Sequence, residues 1–421
     1  MRSANVTSKL TRVIASILGI AVCLVLAAAS AQFGFSRLLA RYGVVTKNIP
    51  AAAQAVRSTP NDAEAHRALG MAFRNVQMYR EATREFELAA SLRPADDYLW
   101  LELGTLRDEL GDQTGALSAL DESVVRAPYY AHTRWQRANL RLRLGRYDEA
   151  FAELRDAANS NRKFFPSLID LAWSLSKGDT RVTEQLAGID SIDTHVEFAR
   201  FLARQGKGTA AREQFMLVLP YFSEAQKREL VRDLIGFRQY QEAFNIWKGA
   251  DADSTKLPQI YDGGFEGPIS FGEVGFSWTI ARELSKISVS VDASEKETGA
   301  KSLRVEFDGP STSSASVVSQ TVVVEPGKKY RINYGVKAKD IVSGGPPVLR
   351  VRDAATDLEL AVSPKLPQNS SQWLRQSIEF TSPSLCEAIV LNLVRNECES
   401  QLCPIFGVLW LDSFSIEEIK Q

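Results

Sequence analysis

Hydrophobic and polar positions divide the chain into three regimes. Residues 13–31 (VIASILGIAVCLVLAAASA) carry no charge, and the uncharged stretch continues to Ser36. From about residue 37 to residue 250, alanine and leucine recur at the three- and four-residue spacing of amphipathic helices. Pro60, Pro94 and Pro128 interrupt this pattern in two steps of 34 residues. From residue 257 the helical spacing stops, and short β-branched segments alternate between glycine and proline turns. The pattern predicts strands over 287–291, 302–307, 316–324, 329–338, 348–351, 373–381, 387–395 and 407–417. Glu325-Pro326-Gly327-Lys328 is placed as a tight reversal between two of them.

The first regime has the length of a membrane span. Nineteen helical residues cover roughly 29 Å, close to the hydrocarbon thickness of a bilayer. Arg2, Lys9 and Arg12 precede the run, and Arg37, Arg41 and Lys47 follow it, so basic residues alone do not fix orientation. A cleaved signal peptide is the alternative, because Ala29-Ser30-Ala31 before Gln32 has the small-residue cleavage pattern. Run length favours an uncleaved anchor. Val22 is too bulky for the position before a lipidated Cys23, which disfavours lipoprotein processing.

The second regime carries a repeat. In the unit starting at Ala63, His66, Leu69, Gly70, Phe73, Ala82, Phe86, Ala89 and Pro94 fall at positions 4, 7, 8, 11, 20, 24, 27 and 32 in order, Leu69 and Gly70 being 7 and 8. The unit starting at Asp97 gives Trp100, Leu103, Gly104, Ala116, Leu120 and Pro128. Small residues at positions 8 and 20 let two helices approach closely, and the large apolar positions fill the space between neighbouring pairs. This pattern resembles the tetratricopeptide family, strongly over 63–128 and more loosely over 37–250. The third unit keeps Gly145, Ala150 and Ala157 but has Arg162 in place of the proline, the fourth shortens after Gly178, and two more are readable to Trp247. Residues 49–60 supply the second helix of a degenerate first repeat.

The resemblance implies a concave surface for a protein partner. Arg67, Arg74, Asn75, Trp135, Asn139 and Arg143 face that side by helical position and are the groove candidates. Met71 stands where the family's peptide-carboxylate clamp has asparagine, which argues against that clamp here. His66 and His195, both at the fourth repeat position, are expected to pack as aromatic-like filler.

The third regime resembles the jelly-roll carbohydrate-binding modules of the galactose-binding-like type. Gly263-Gly264-Phe265-Glu266, Trp278, residues 299–305 (GAKSLRV), Gln320-Thr321-Val322, Pro326-Gly327 and Tyr330, and residues 409–414 (LWLDSF) carry the likeness. It implies a structural calcium held by Glu266 and Asp412, where the first and last strands meet. It also implies sugar stacking on aromatic rings, for which Trp278, Trp373 and Trp410 are the candidates. The fold class expected is therefore multidomain: an N-terminal transmembrane helix (1–36), an all-α solenoid of tetratricopeptide-like repeats (37–250), and a C-terminal all-β jelly-roll sandwich (257–421).

Composition narrows the function. A net charge of −1 gives no electrostatic case for nucleic acid. Cys398 and Cys403 bracket a short loop and are expected to form a disulfide in an oxidising compartment, leaving Cys386 as a buried free thiol. His66, His132 and His195 all lie in the repeats, so zinc is a poor alternative for the three C-terminal cysteines, and a Ser-His hydrolase in the β region would need a histidine from the repeats. No nucleophile elbow or phosphate-cradling glycine loop is present. No cofactor is expected beyond the calcium. The expectation is a non-enzymatic, single-pass inner-membrane scaffold with its bulk in the periplasm. Its repeats would hold a protein and its sandwich a glycan or a protein, in a setting such as surface-polysaccharide assembly. A purely protein-binding adaptor, and then a cryptic glycoside-active enzyme, are the alternatives.

Overall fold

The computed structural model describes residues 3–249, 257–271, 274–281, 284–310, 316–396 and 403–419. The chain divides into two compact units, Met1–Gly188 and Ile189–Gln421.

The first unit is helical: α1 (Ser3–Thr46), α2 (Ile49–Ser58), α3 (Ala63–Asn75), α4 (Tyr79–Leu92), α5 (Asp97–Glu109), α6 (Gln113–Arg126), α7 (Ala131–Arg143), α8 (Tyr147–Ser160), α9 (Phe165–Leu175) and α10 (Thr180–Ala187). Helices α3, α5, α7 and α9 begin at 63, 97, 131 and 165, each 34 residues after the one before. These are paired tetratricopeptide-type repeats. The small residues act as the periodicity requires. A Cβ on Gly70 would fall 2.6 Å from a Phe86 ring carbon, and one on Gly104 would fall 2.7 Å from Leu120 Cγ. Ala82, Ala116 and Ala150 are fully buried at the matching crossings. Asp62 and Asp96 cap α3 and α5, each accepting a backbone N–H of the first turn. Gly111 and Gly145 turn the chain between paired helices at φ 80° and 76°, where a Cβ would be strained.

α1 continues unbroken from the apolar run into the first repeat. The stretch Arg12–Thr46 is long and apolar enough to cross a membrane. Its far end packs on α2 and α3 through the buried Ser36 and Ala40 and the close approach of Gly43 to Ala52. Ser36 Oγ bonds the Ala55 carbonyl at 3.0 Å and Thr59 Oγ1 at 2.6 Å, and Gln32 Nε2 donates to the Ser58 carbonyl at 2.6 Å. The helix that carries the apolar run is thus also the first helix of the first repeat.

The second unit joins four helices, α11 (Ile192–Arg204), α12 (Gly208–Leu217), α13 (Glu224–Gly236) and α14 (Tyr240–Lys248), to a two-sheet sandwich. Its strands are β1 (Ser270–Phe271), β2 (Thr279–Ile280), β3 (Ile287–Asp292), β4 (Ser302–Pro310), β5 (Val318–Val323), β6 (Lys329–Ser343), β7 (Pro347–Asp353), β8 (Glu359–Val362), β9 (Leu374–Thr381), β10 (Ala388–Arg395) and β11 (Pro404–Glu418). One sheet has the order β1-β2-β5-β10-β7-β8 and the other β3-β4-β11-β6-β9. Inward residues such as Leu303, Val305, Tyr330, Tyr334, Leu391 and Leu409 form one continuous core.

Two expectations change here. The turn at Pro326-Gly327 does not close a hairpin: β5 and β6 lie in different sheets. It is a corner between layers, held by Gly327 N–H to the Ser382 carbonyl (3.1 Å) and Glu325 N–H to the Tyr330 hydroxyl (2.9 Å). His66 and His195 are polar tethers rather than ring-like filler. His66 Nδ1 lies 2.7 Å from Glu85 Oε2, and His195 Nδ1 lies 2.6 Å from Gln214 Oε1, each joining the paired helices of its repeat.

The last helix also covers part of the sandwich. β5 has β2 on one side and β10 on the other, and its inner face is filled by the core. α14 packs on β5, so it lies against the outer face, where Ser319, Thr321 and Val323 are all at least half-buried. Phe244 and Trp247 close an aromatic cluster there with Tyr261 and Phe276, at centroid distances of 4.9–6.0 Å.

Candidate interaction surfaces

The groove-facing residues sit on α3 and α7, but most of their polar groups are already engaged. Arg74 donates to Glu102 at 2.6 Å and Glu109 at 3.0 Å, both on α5. Arg143 pairs with Asp108, also on α5. In the second unit Arg200 of α11 repeats the device, reaching Glu229 at 2.6 Å and Asp233 at 2.8 Å on α13. These bonds link the first helix of one repeat to the first helix of the next. Arg67 bonds Glu64 in its own helix and lies 6.0 Å from the Tyr98 ring centroid. Asn75 Nδ2 donates to the Val44 carbonyl at 3.4 Å, and Asn139 Nδ2 donates to the Trp135 carbonyl at 3.0 Å. Trp135 stacks on Phe164 at 4.8 Å.

Burial opposes the charge on Arg74, yet Glu102 and Glu109 hold its pKa above the usual value. Tyr98, between Arg67 and Glu102, has its phenol pushed up to about 12, first by burial and then by Glu102. The exposed groups left in the groove are therefore chiefly Tyr98, Asn75 and the outer edges of these ion pairs. The acidic partners were in plain view in the sequence, but helix spacing alone does not say which acid meets which arginine.

In the sandwich the tryptophans need correction as sugar platforms. Trp278 is 3% exposed, packed between Phe265 and Phe414 at 5.0 Å from each, with its indole N–H on the Asp262 carbonyl. Trp410 faces away from the core, opposite Arg304 and Lys337, yet is only 7% exposed. The turn after β3 covers it, and its indole N–H donates to Asp292 at 2.9 Å. That bond and those from Ser294 hold the Asp292 carboxyl down to about 2, Ser294 contributing most. Neither ring is open to stack on a sugar face. Trp373 is half-buried just before β9.

Glu266 and Asp412 both approach Gly264: a Cβ there would lie 3.8 Å from Glu266 Cγ and 3.8 Å from Asp412 Oδ1. Both Asp412 oxygens and Glu266 Oε1 accept backbone N–H groups. Asp412 accepts the N–H groups of Glu297 (2.8 Å), Thr298 (3.1 Å) and Ser413 (2.6 Å). Glu266 accepts those of Ala300 (2.6 Å) and Lys301 (3.3 Å), and the Lys301 ammonium sits 3.1 Å from the Glu266 carbonyl oxygen. Calcium needs six to eight oxygen ligands. Among the described residues no three His, Cys, Asp or Glu side chains converge. Two carboxylates, three of whose four oxygens already accept N–H groups, fall short of that number by themselves.

Cys403 is disulfide-bonded, while Cys398, its expected partner, lies outside the described residues. Cys386 is a buried free thiol, pushed up to about 12 first by burial and then by Asp353. A cleft of about 590 Å³ that the strand pattern did not indicate opens between the sheet edges at β1 and β3. Phe271 (62% exposed), Ile269 and Val291 line it, with Glu266 and Lys301 at its polar end. An aromatic beside Gly-Pro turns was the available signal.

No family model matches the chain. It is 33% identical over 101 residues to protein FlbA of Caulobacter vibrioides, a match covering 24% of this chain and 17% of FlbA. Similar solved structures include YrrB, described as a TPR protein with an unusual peptide-binding site (18% identity, 40% of this chain and 84% of that one, TM-score 0.33). Pseudomonas aeruginosa PilF is another (14%, 50% and 98%, TM-score 0.34). A CBM22-1 xylan-binding domain from Paenibacillus barcinonensis is a third (17%, 40% and 99%, TM-score 0.28).

Proposed function

We propose that the chain is a non-enzymatic, membrane-tethered scaffold whose repeats hold a protein partner, with its bulk in the periplasm. The observation that carries this reading is the continuity of α1, which makes the apolar segment and the first repeat one helix. A tether of this kind transmits orientation as well as location, because no linker separates span from scaffold. Salt bridges between successive first helices fix the curvature of the groove before any partner arrives, which lowers the ordering cost of binding. The partner surface best suited to the groove is a mixed one that meets Tyr98 and the rims of paired charges, rather than an acidic peptide clamped by free arginines.

A photo-crosslinking residue at Tyr98 of the full chain, in native membranes, tests this. An adduct from Tyr98 that is missing from Arg80, on the exposed face of α4, is the expected result. Equal adducts from both positions would reject the groove as the partner site.

Glycan binding by the sandwich is a second reading, favoured by the Phe271 cleft, where an exposed ring stands beside polar groups. In this reading the Glu266–Asp412 junction needs no calcium. Binding on a glycan array that Phe271→Ala abolishes would support it, and an array without hits would leave the sandwich a protein-facing or structural module.

A further inference from the structure

The membrane-proximal end of the first unit carries a cleft of about 480 Å³ that shares Arg67 with the groove. Arg37, Arg41, Val44 and Val45 of α1 form one wall, Glu64, Arg67 and Ala68 of α3 the other, and Arg93 closes it after α4. Four guanidinium groups here face two carboxylates. Asp62 lies 3.7 Å from Arg37 and 3.4 Å from Arg93, and Glu64 holds Arg67. Arg41 makes no hydrogen bond or ion pair among the described residues. The cleft therefore keeps an excess of positive charge over an apolar floor.

Its height above the bilayer follows from α1. Arg37 stands directly after the uncharged stretch and about 9 Å beyond Ala31, and Arg41 about 15 Å beyond it, at 1.5 Å per residue. The polar headgroup layer is about 5–8 Å thick on each side of the hydrocarbon core, so both Cα positions stand above it, and their long side chains, which lean toward the helix N-terminus, reach back down to the phosphates. Phe33 and Phe35, exposed on the same helix, keep its surface apolar for a turn beyond Ala31. The Gln32–Ser58 and Ser36–Thr59 bonds bring the start of α3 down to this level, so Asp62 and Arg93 share it.

We infer that this cleft binds the phosphate headgroup of an anionic phospholipid in the leaflet from which α1 emerges. The inference rests on the tethering reading above, and charge complementarity at headgroup depth selects a lipid over a soluble anion. Arg41 and Arg67 hold the phosphate, Arg37 and Arg93 are shared between Asp62 and the lipid, and Val44 and Val45 meet its glycerol backbone. A bound headgroup fixes the rotation of α1 about its own axis, and with it the direction in which the repeats face.

The test uses the full chain in neutral detergent micelles, titrated by calorimetry with water-soluble dihexanoyl phosphatidylglycerol, dihexanoyl phosphatidylcholine and inorganic phosphate. Saturable binding of the anionic lipid alone is expected, weakened about fivefold by R41Q, in line with the contribution of one basic residue near an anionic surface. Arg41 is exposed and has no partner among the described residues, so R41Q keeps the fold, which an unchanged melting curve verifies. Equal binding of the two lipids, phosphate binding as tight as the anionic lipid, or an unaffected R41Q would each overturn the inference. Alkaline carbonate extraction of the source membranes reports on the tether separately. Release of the chain there rejects the anchor, whatever the calorimetry shows.

Discussion

The repeats and the sandwich are held together over different distances along the chain. In the repeats the decisive contacts are short: His66 to Glu85 spans 19 residues and Arg74 to Glu102 spans 28. In the sandwich, Glu297 N–H reaches Asp412 across 115 residues, and Trp410 reaches Asp292 across 118. A repeat stack behaves as a sum of units and nearest-neighbour interfaces, whereas a sandwich with one core opens as a whole. Damage should therefore stay local in the first unit and spread in the second.

The largest expected effect is in the sandwich. Trp278→Ala removes a ring that Phe265 and Phe414 both contact, and the loss is about 3–5 kcal/mol. Hydrogen exchange should then accelerate across β3–β11 and also in α14, because that helix rests on β5. Protection retained in α14 would show that the helix is independent of the sandwich.

In the repeats the corresponding weak point is an ion cluster. Glu153 is buried, with a side chain 4% exposed, and bonds both Arg137 and Arg141. Glu153→Ala leaves two largely covered guanidinium groups without it, a cost of about 3 kcal/mol. Exchange should rise in α7 and α8 while the strands stay protected. Loss of protection in both units at once would contradict the local picture. Gly70→Leu is milder, about 1–3 kcal/mol through overpacking against Phe86. An unchanged melting temperature would show that the α3–α4 crossing is looser than described.

The smallest effect concerns pH. With its folded pKa near 2, Asp292 stabilises the fold above its ordinary range near 4 and loses that contribution as pH falls from about 4 to about 2. Trp410→Phe removes one of its donors, so the carboxyl should titrate at a higher pH in an NMR titration. An unmoved midpoint would assign the depression to Ser294 and the Glu295 N–H.

This difference in range also explains what could be read from the sequence. Gly70, Ala82 and Phe86 were legible because a 34-residue period repeats one local packing problem. The arginine partners were not, since Arg74 has acids at several suitable distances. In the sandwich, alternation located eight strands but missed the two-residue β1 and β2 and the short β8. Alternation also says that a strand has two faces without saying what covers the outer one. Trp410 points outward and is covered by a turn, and Thr321 points outward on the strand against which α14 packs. Trp278 was misread for the related reason that an early aromatic in such a fold can serve either core or ligand.

The central claim is that one helix is both tether and first repeat, and N-terminal sequencing of the mature protein from isolated membranes tests it most directly. The account predicts that residues ahead of Val13 are retained and that the chain resists carbonate extraction. A mature chain that begins at Gln32 and washes off the membrane would contradict it.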